Sequence, residues 1–163
     1  MKHTFLAIAL LTIALISCKS VKDATENTDP GSFETIVSNS LMGAGSEGIE
    51  ESIIVCNSEL DLYNIKQKMN SVNYATEELD AMEIDFDKET LIGYFQPVRS
   101  TGGYELKAES ITKVDGEDSY LVHYTLKTPQ GAAITVLTQP FIFINTSKLE
   151  GTVNYKVTEA GGL

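Results

Sequence analysis

From Met82 onward the chain is a train of strand-length segments separated by turn residues, and this confines it to an all-β-dominated architecture. Residues 91–95 form an apolar run, Leu-Ile-Gly-Tyr-Phe, stopped by Pro97. Tyr104, Leu106 and Ala108 then alternate with Glu105, Lys107 and Glu109, as in a strand with one wet face. The alternation slips near Ser110 and Ile111, which marks a bulge. A hairpin turn at residues 115–118 leads into Tyr120, Val122, Tyr124 and Leu126 on one strand face. A second turn at residues 128–131 is followed by apolar runs at 134–137 and 141–144, and then by Val153, Tyr155 and Val157. Strands at this spacing predict an antiparallel β-sandwich or open barrel of about seven to eight strands.

Upstream, residues 33–37 and 51–56 read as two further strands around a turn containing Gly43, Gly45 and Gly48. Ser58 is placed to cap a helix, with Asp61 three positions on as its partner. Leu62, Ile65, Met69 and Val72 recur at helical spacing and predict one helix packed on the sheet. Residues 76–80 carry a weaker turn signal. The fold class is therefore mainly β (α+β).

The first residues follow different rules. An apolar run over residues 5–16 follows Lys2 and ends at Ser17 and Cys18; it is too short to span a bilayer as a helix. It reads as a secretory signal peptide over residues 1–17. Leu15, Ile16, Ser17 and Cys18 together look like a bacterial lipobox, which makes Cys18 the lipidated first residue of the mature protein. Residues 18–32 are polar and non-periodic and end in a Pro-Gly pair, the composition of a flexible tether. The folded domain is then expected over residues 33–163. The location expected is the cell envelope, lipid-anchored to a membrane with the outer membrane favoured, facing the periplasm or cell surface.

Composition excludes several classes. Twelve basic against 23 acidic residues, with a net charge of -11 and one arginine, argue against nucleic-acid binding. Of the two cysteines, Cys56 lies in an apolar run and reads as a buried, inert thiol. His123 is the one histidine after the leader, on a strand face with Leu121 and Thr125. A Ser or Cys triad would need it as base, and no G-x-S-x-G elbow is present. Asp85, Asp87 and Glu89 begin like a calcium loop, but the sixth position is Thr90 and no Glu stands at the twelfth. No metal, cofactor or catalytic residue is expected. An envelope hydrolase using His123 is the weakest alternative, beside a structural lipoprotein with no dedicated ligand.

One loop remains. Arg99, Ser100, Thr101, Gly102 and Gly103 join two strands and lead into Tyr104, with the two glycines permitting a tight turn. Tyr104 itself is expected to start a half-buried strand.

The segment from Asp85 to Phe95, the Thr101-Gly102-Gly103-Tyr104 motif and the later Thr138-Gln139-Pro140-Phe141 resemble the protease complex subunit PrcB C-terminal domain, found in bacterial lipoproteins. Residues 46–51 and the Ser58-capped helix are similar to the N-terminal part of that family, so the likeness covers about residues 40–158. The helix lacks the tryptophan that the resemblance leads one to expect in it, with Tyr63 nearby instead. The resemblance implies a non-enzymatic lipoprotein subunit that binds and stabilises an envelope protease or other complex, with no catalytic residues to carry over. A Thr-Gly-Tyr-containing loop on a β-sandwich is also similar to chagasin-type protease inhibitors, which makes direct inhibition the alternative. The expected partner is a protein, contacted through Arg99, Ser100, Thr101, Gly102, Gly103 and Tyr104, with Gln139 and Pro140. Arg99 would supply a charge-assisted bond to a carboxylate.

Overall fold

The computed structural model describes residues 31–130 and 134–161; the leader, Cys18 and nearly all of the tether expected over 18–32 lie outside them. Nine elements follow in chain order. They are β1 (Phe33–Leu41), β2 (Ser52–Cys56), α1 (Glu59–Met69), α2 (Glu77–Asp80), β3 (Glu89–Phe95), β4 (Glu105–Lys113), β5 (Ser119–Lys127), β6 (Gln139–Ser147) and β7 (Thr152–Ala160). The strands form a four-stranded sheet in the order β1-β6-β3-β2 and a three-stranded sheet in the order β4-β5-β7. The mainly β, sandwich-like reading holds, and the sheets do not close into a barrel.

The four-stranded sheet is covered on both faces. Ile92, Tyr94, Ile142 and Ile144 of β3 and β6 meet Leu106, Val122, Tyr124 and Leu126 of the other sheet. On the opposite face Leu91, Phe95, Phe141 and Phe143 pack under Leu62, Ile65 and Met69 of α1 and Leu79 of α2. Double coverage is why β3 and β6 read as continuous apolar runs while β4 and β5 alternate. Gly93 fits this crowding. A Cβ there would lie 2.5 Å from the Phe143 ring, its register partner on β6.

Helix α1 starts where Ser58 Oγ accepts from the Asp61 amide at 3.2 Å and donates to the Asp61 carboxylate at 2.7 Å. It stops at Asn70, whose side chain donates to Thr76 Oγ1 and accepts from the Ala75 amide, both at 2.8 Å. Val72 therefore lies past the helix end and is exposed, contrary to the expected packing. The turn expected at residues 76–80 forms the second short helix, α2.

The expected bulge near Ser110 is present, and two further features differ from expectation. The bulge in β4 falls between Ala108 and Ser110, so that Ala108 and Ile111 both point inward. Strand β7 runs parallel to β5, against the antiparallel expectation; β6, which lies between them in sequence, belongs to the other sheet, so β5 and β7 are joined by a crossover instead of a hairpin. Residues 134–137 form no strand; Ile134 and Leu137 are 78% and 48% exposed.

Candidate functional site

The strands β3 and β6 continue past Pro97 as a narrow ladder that shapes one end of the sandwich. Gln96 N–H donates to the Pro140 carbonyl at 2.9 Å. Arg99 and Thr138 then exchange both backbone bonds, at 2.7 and 3.0 Å. Thr138 Oγ1 donates to the Thr101 carbonyl at 3.0 Å, and the Gly102 amide donates to the Ile134 carbonyl at 3.1 Å. Gly103 has φ +87, a left-handed conformation that favours glycine, and it abuts Pro129. The loop is thus a fixed shape.

Arg99 is held within this framework. Its Nη2 donates to Gln96 Oε1, its guanidinium carbon lies 5.2 Å from the Tyr104 ring centroid, and Glu159 of β7 pairs with it at 3.6 Å. Gln96 Nε2 in turn donates to the Tyr94 hydroxyl, which donates to Glu51 Oε1, each at 2.8 Å. Burial, and then the Glu51 carboxylate, push the Tyr94 hydroxyl well above its ordinary pKa. This polar chain links the start of β2 to the end of β7 across the sandwich edge.

The other expected contact residues divide. Ser100 and Gly103 are exposed, Thr101 and Gly102 are half-buried, and Tyr104 packs against the core between the sheets just before β4. Gln139 and Pro140 are buried, which corrects their expected contact role. Gln139 Nε2 donates to the carbonyls of Ile49 and Gln96 at 2.8 and 2.9 Å, fastening the glycine-rich turn to the end of β3.

Sequence reasoning missed the apolar surface of this end. Met42, Val98, Ile134 and Leu137 are all exposed large hydrophobics. The framework gathers their segments: Leu41 pairs with Gln139, Arg99 bridges Thr138, and a Cβ on Gly45 would lie 3.0 Å from the Val98 side chain. The signal was present at residues 134–137, an apolar run too close to β6 to be a separate strand.

The remaining candidates are placed elsewhere. His123 lies on the outer face of the three-stranded sheet with Nε2 2.8 Å from Thr158 Oγ1. Cys56 is fully buried under α1, and burial followed by the nearby Asp61 pushes its thiol up to about 12. The Asp85, Asp87 and Glu89 segment is a closed turn. Asp85 Oδ1 accepts from the Asp87 amide, Lys88 pairs with Oδ2, and Glu89 reaches back to the Asp85 amide.

A scan against protein-family models matches residues 90–147 to the family described as PrcB C-terminal. That stretch runs from β3 to the end of β6 and includes the whole Arg99 loop, a narrower span than the expected 40–158. Searches of the curated proteins and of the solved structures return no significant match.

Proposed function

Starting from a PrcB C-terminal segment that forms the structural centre of the domain, we propose that the chain is a non-catalytic accessory subunit of an envelope protease complex. In this reading a diacylated Cys18 anchors the domain to a membrane, with the outer membrane favoured. The excess of carboxylates holds the domain off anionic lipid on its tether.

The partner is engaged at the loop end. The observation that carries this is the exposure of Met42, Val98, Ile134 and Leu137 on loops that the Arg99–Thr138 bridge and the Gln139 side chain hold rigid. Exposed apolar side chains on a preorganised frame lose little entropy on binding, so they can serve as anchors for a protein surface. Ser100 and Gly103 lie on the same end and supply polar and backbone contacts. Arg99 acts by holding the loop to β7 through Glu159.

Tagged full chain recovered from envelope extracts tests this reading. A protease is expected to co-purify with its activity intact. Changing Ile134→Ser together with Leu137→Ser should cut its recovery about tenfold or more while the domain stays folded. Stoichiometric inhibition of the protease would replace the accessory role with the inhibitor role. Undiminished recovery with the double variant would overturn the loop-end assignment.

A further inference from the structure

The edge strand β2 and the helix α1 frame a cleft that neither the loop end nor the polar chain uses. The cleft has a volume of about 180 Å³ and is lined by Ile54 and Val55 of β2 and by Asp61, Asn64, Ile65 and Lys68 of α1. Those four helix residues recur at one face, two turns long. Strand β2 pairs with β3 on one side, in continuous register with no bulge, and has no ladder partner on the other among the described residues.

Sheet edges are ordinarily blunted by charge, proline, bulges or a covering segment. The other edges here show such devices. Strand β1 carries a bulge between Thr35 and Val37, the β4 edge receives the Ser38 hydroxyl on its Leu106 carbonyl, and β7 is studded with Lys156 and Glu159. Strand β2, Ser-Ile-Ile-Val-Cys, has no charge and no proline, and its first four residues are half-buried. Among the described residues no strand pairs with its outer backbone donors and acceptors, which lie beside the apolar side chains of Ile54 and Ile65.

We infer that the cleft between β2 and α1 binds an extended segment of another polypeptide, which adds to β2 as a fifth strand of the four-stranded sheet. Backbone complementarity sets the extended conformation, and Ile54 and Ile65 select apolar side chains at alternate positions of the segment. Charge sets the rest. Lys68 has no ion pair among the described residues, whereas Asp61 is already occupied by Ser58 and the Asn57 amide. The occupant therefore carries a carboxylate that meets Lys68. This inference does not depend on the accessory-subunit reading.

Panning a random dodecapeptide library displayed on phage against the full chain tests it. Enriched peptides should alternate apolar residues and include an aspartate or glutamate. Lys68→Ala should weaken their binding at least about fivefold, and the Ile134→Ser, Leu137→Ser variant should bind them unchanged. N-methylation of one alternate set of peptide amides should cost at least about tenfold, while the other set tolerates it, because every second amide of an added strand faces β2. Peptides that tolerate both patterns, that require Ile134 and Leu137 instead of Lys68, or that fail to enrich at all would each overturn the proposal.

Discussion

The two sheets bury their side chains under different rules. Strands β3 and β6 are enclosed between α1 and α2 on one side and the second sheet on the other, so every residue from Leu91 to Phe95 is buried. Strands β4 and β5 offer one face to the core and one to water, and Lys107, Glu109, Leu121 and His123 lie on the wet one. A doubly covered strand has no position free for change; a singly covered strand keeps half of its surface for other uses. Apart from Met42, which follows β1, the proposed contacts lie on loops that extend from β3 and β6, the least adaptable strands, and this gives them a rigid base.

The largest expected effect tests that contrast directly. Phe143→Ala removes a ring packed on Gly93 and against Phe95 and Phe141, and should cost about 3–5 kcal/mol. Lys156→Ala, on the outer face opposite His123, should stay within about 0.5 kcal/mol. Urea unfolding of both variants measures the difference. Comparable losses would mean that the outer face of the second sheet is not free.

A finer test lies where the sheets meet. Tyr94 of the first sheet and Tyr124 of the second stack with centroids 4.9 Å apart, and both are fully buried. Their hydroxyls differ. That of Tyr94 bonds to Glu51 and Gln96, whereas that of Tyr124 has no hydrogen-bond partner among the described residues. Tyr94→Phe should therefore destabilise by about 1–2 kcal/mol, since it strands Gln96 as well as losing the bond to Glu51. Tyr124→Phe should be neutral or stabilising, because it removes an unsatisfied buried group. Equal losses would show that Tyr124 has a partner after all.

The same contrast explains what could be read from the residues. Apolar runs and alternation revealed β3, β4, β5 and the core of β6, because burial on two faces or one writes itself directly into the pattern. The Ser58 cap and the helical spacing located α1 for the same reason. Pairing was less legible. Nothing in the composition of β7 distinguishes a parallel neighbour from an antiparallel one, since both bury Val153 and Val157 on the same face. The run at 134–137 misled because an apolar segment signals burial by a partner, and here it faces outward. Gln139 and Pro140 misled in the opposite sense: polar and turn-forming residues near a loop were taken up by the interior, where Gln139 joins three backbone segments. The Arg99 loop was recognisable by its glycines, but the pairing of Arg99 with Glu159 spans most of the domain's second half and leaves no local signature.

The helical cover itself is fastened by electrostatics, and this supplies a small, pH-sensitive effect. Asp80 of α2 pairs with Lys66 of α1 and accepts from the hydroxyls of Thr76 and Tyr74, both at 2.8 Å. Lys66 first, then Thr76 and Tyr74, hold its carboxyl below the usual carboxylate range. A depressed folded-state pKa contributes stability above the unfolded value of about 3.9, and that contribution is lost as pH falls through the folded value. The pair is partly exposed, so Asp80→Asn should cost no more than about 1 kcal/mol at pH 7. The gap between the variant and the parent should close as urea unfolding is repeated toward pH 2. A gap that stays open at low pH would mean that Asp80 holds α2 by packing instead of charge, and the cover over β3 and β6 would then be as insensitive to acid as the sheet beneath it.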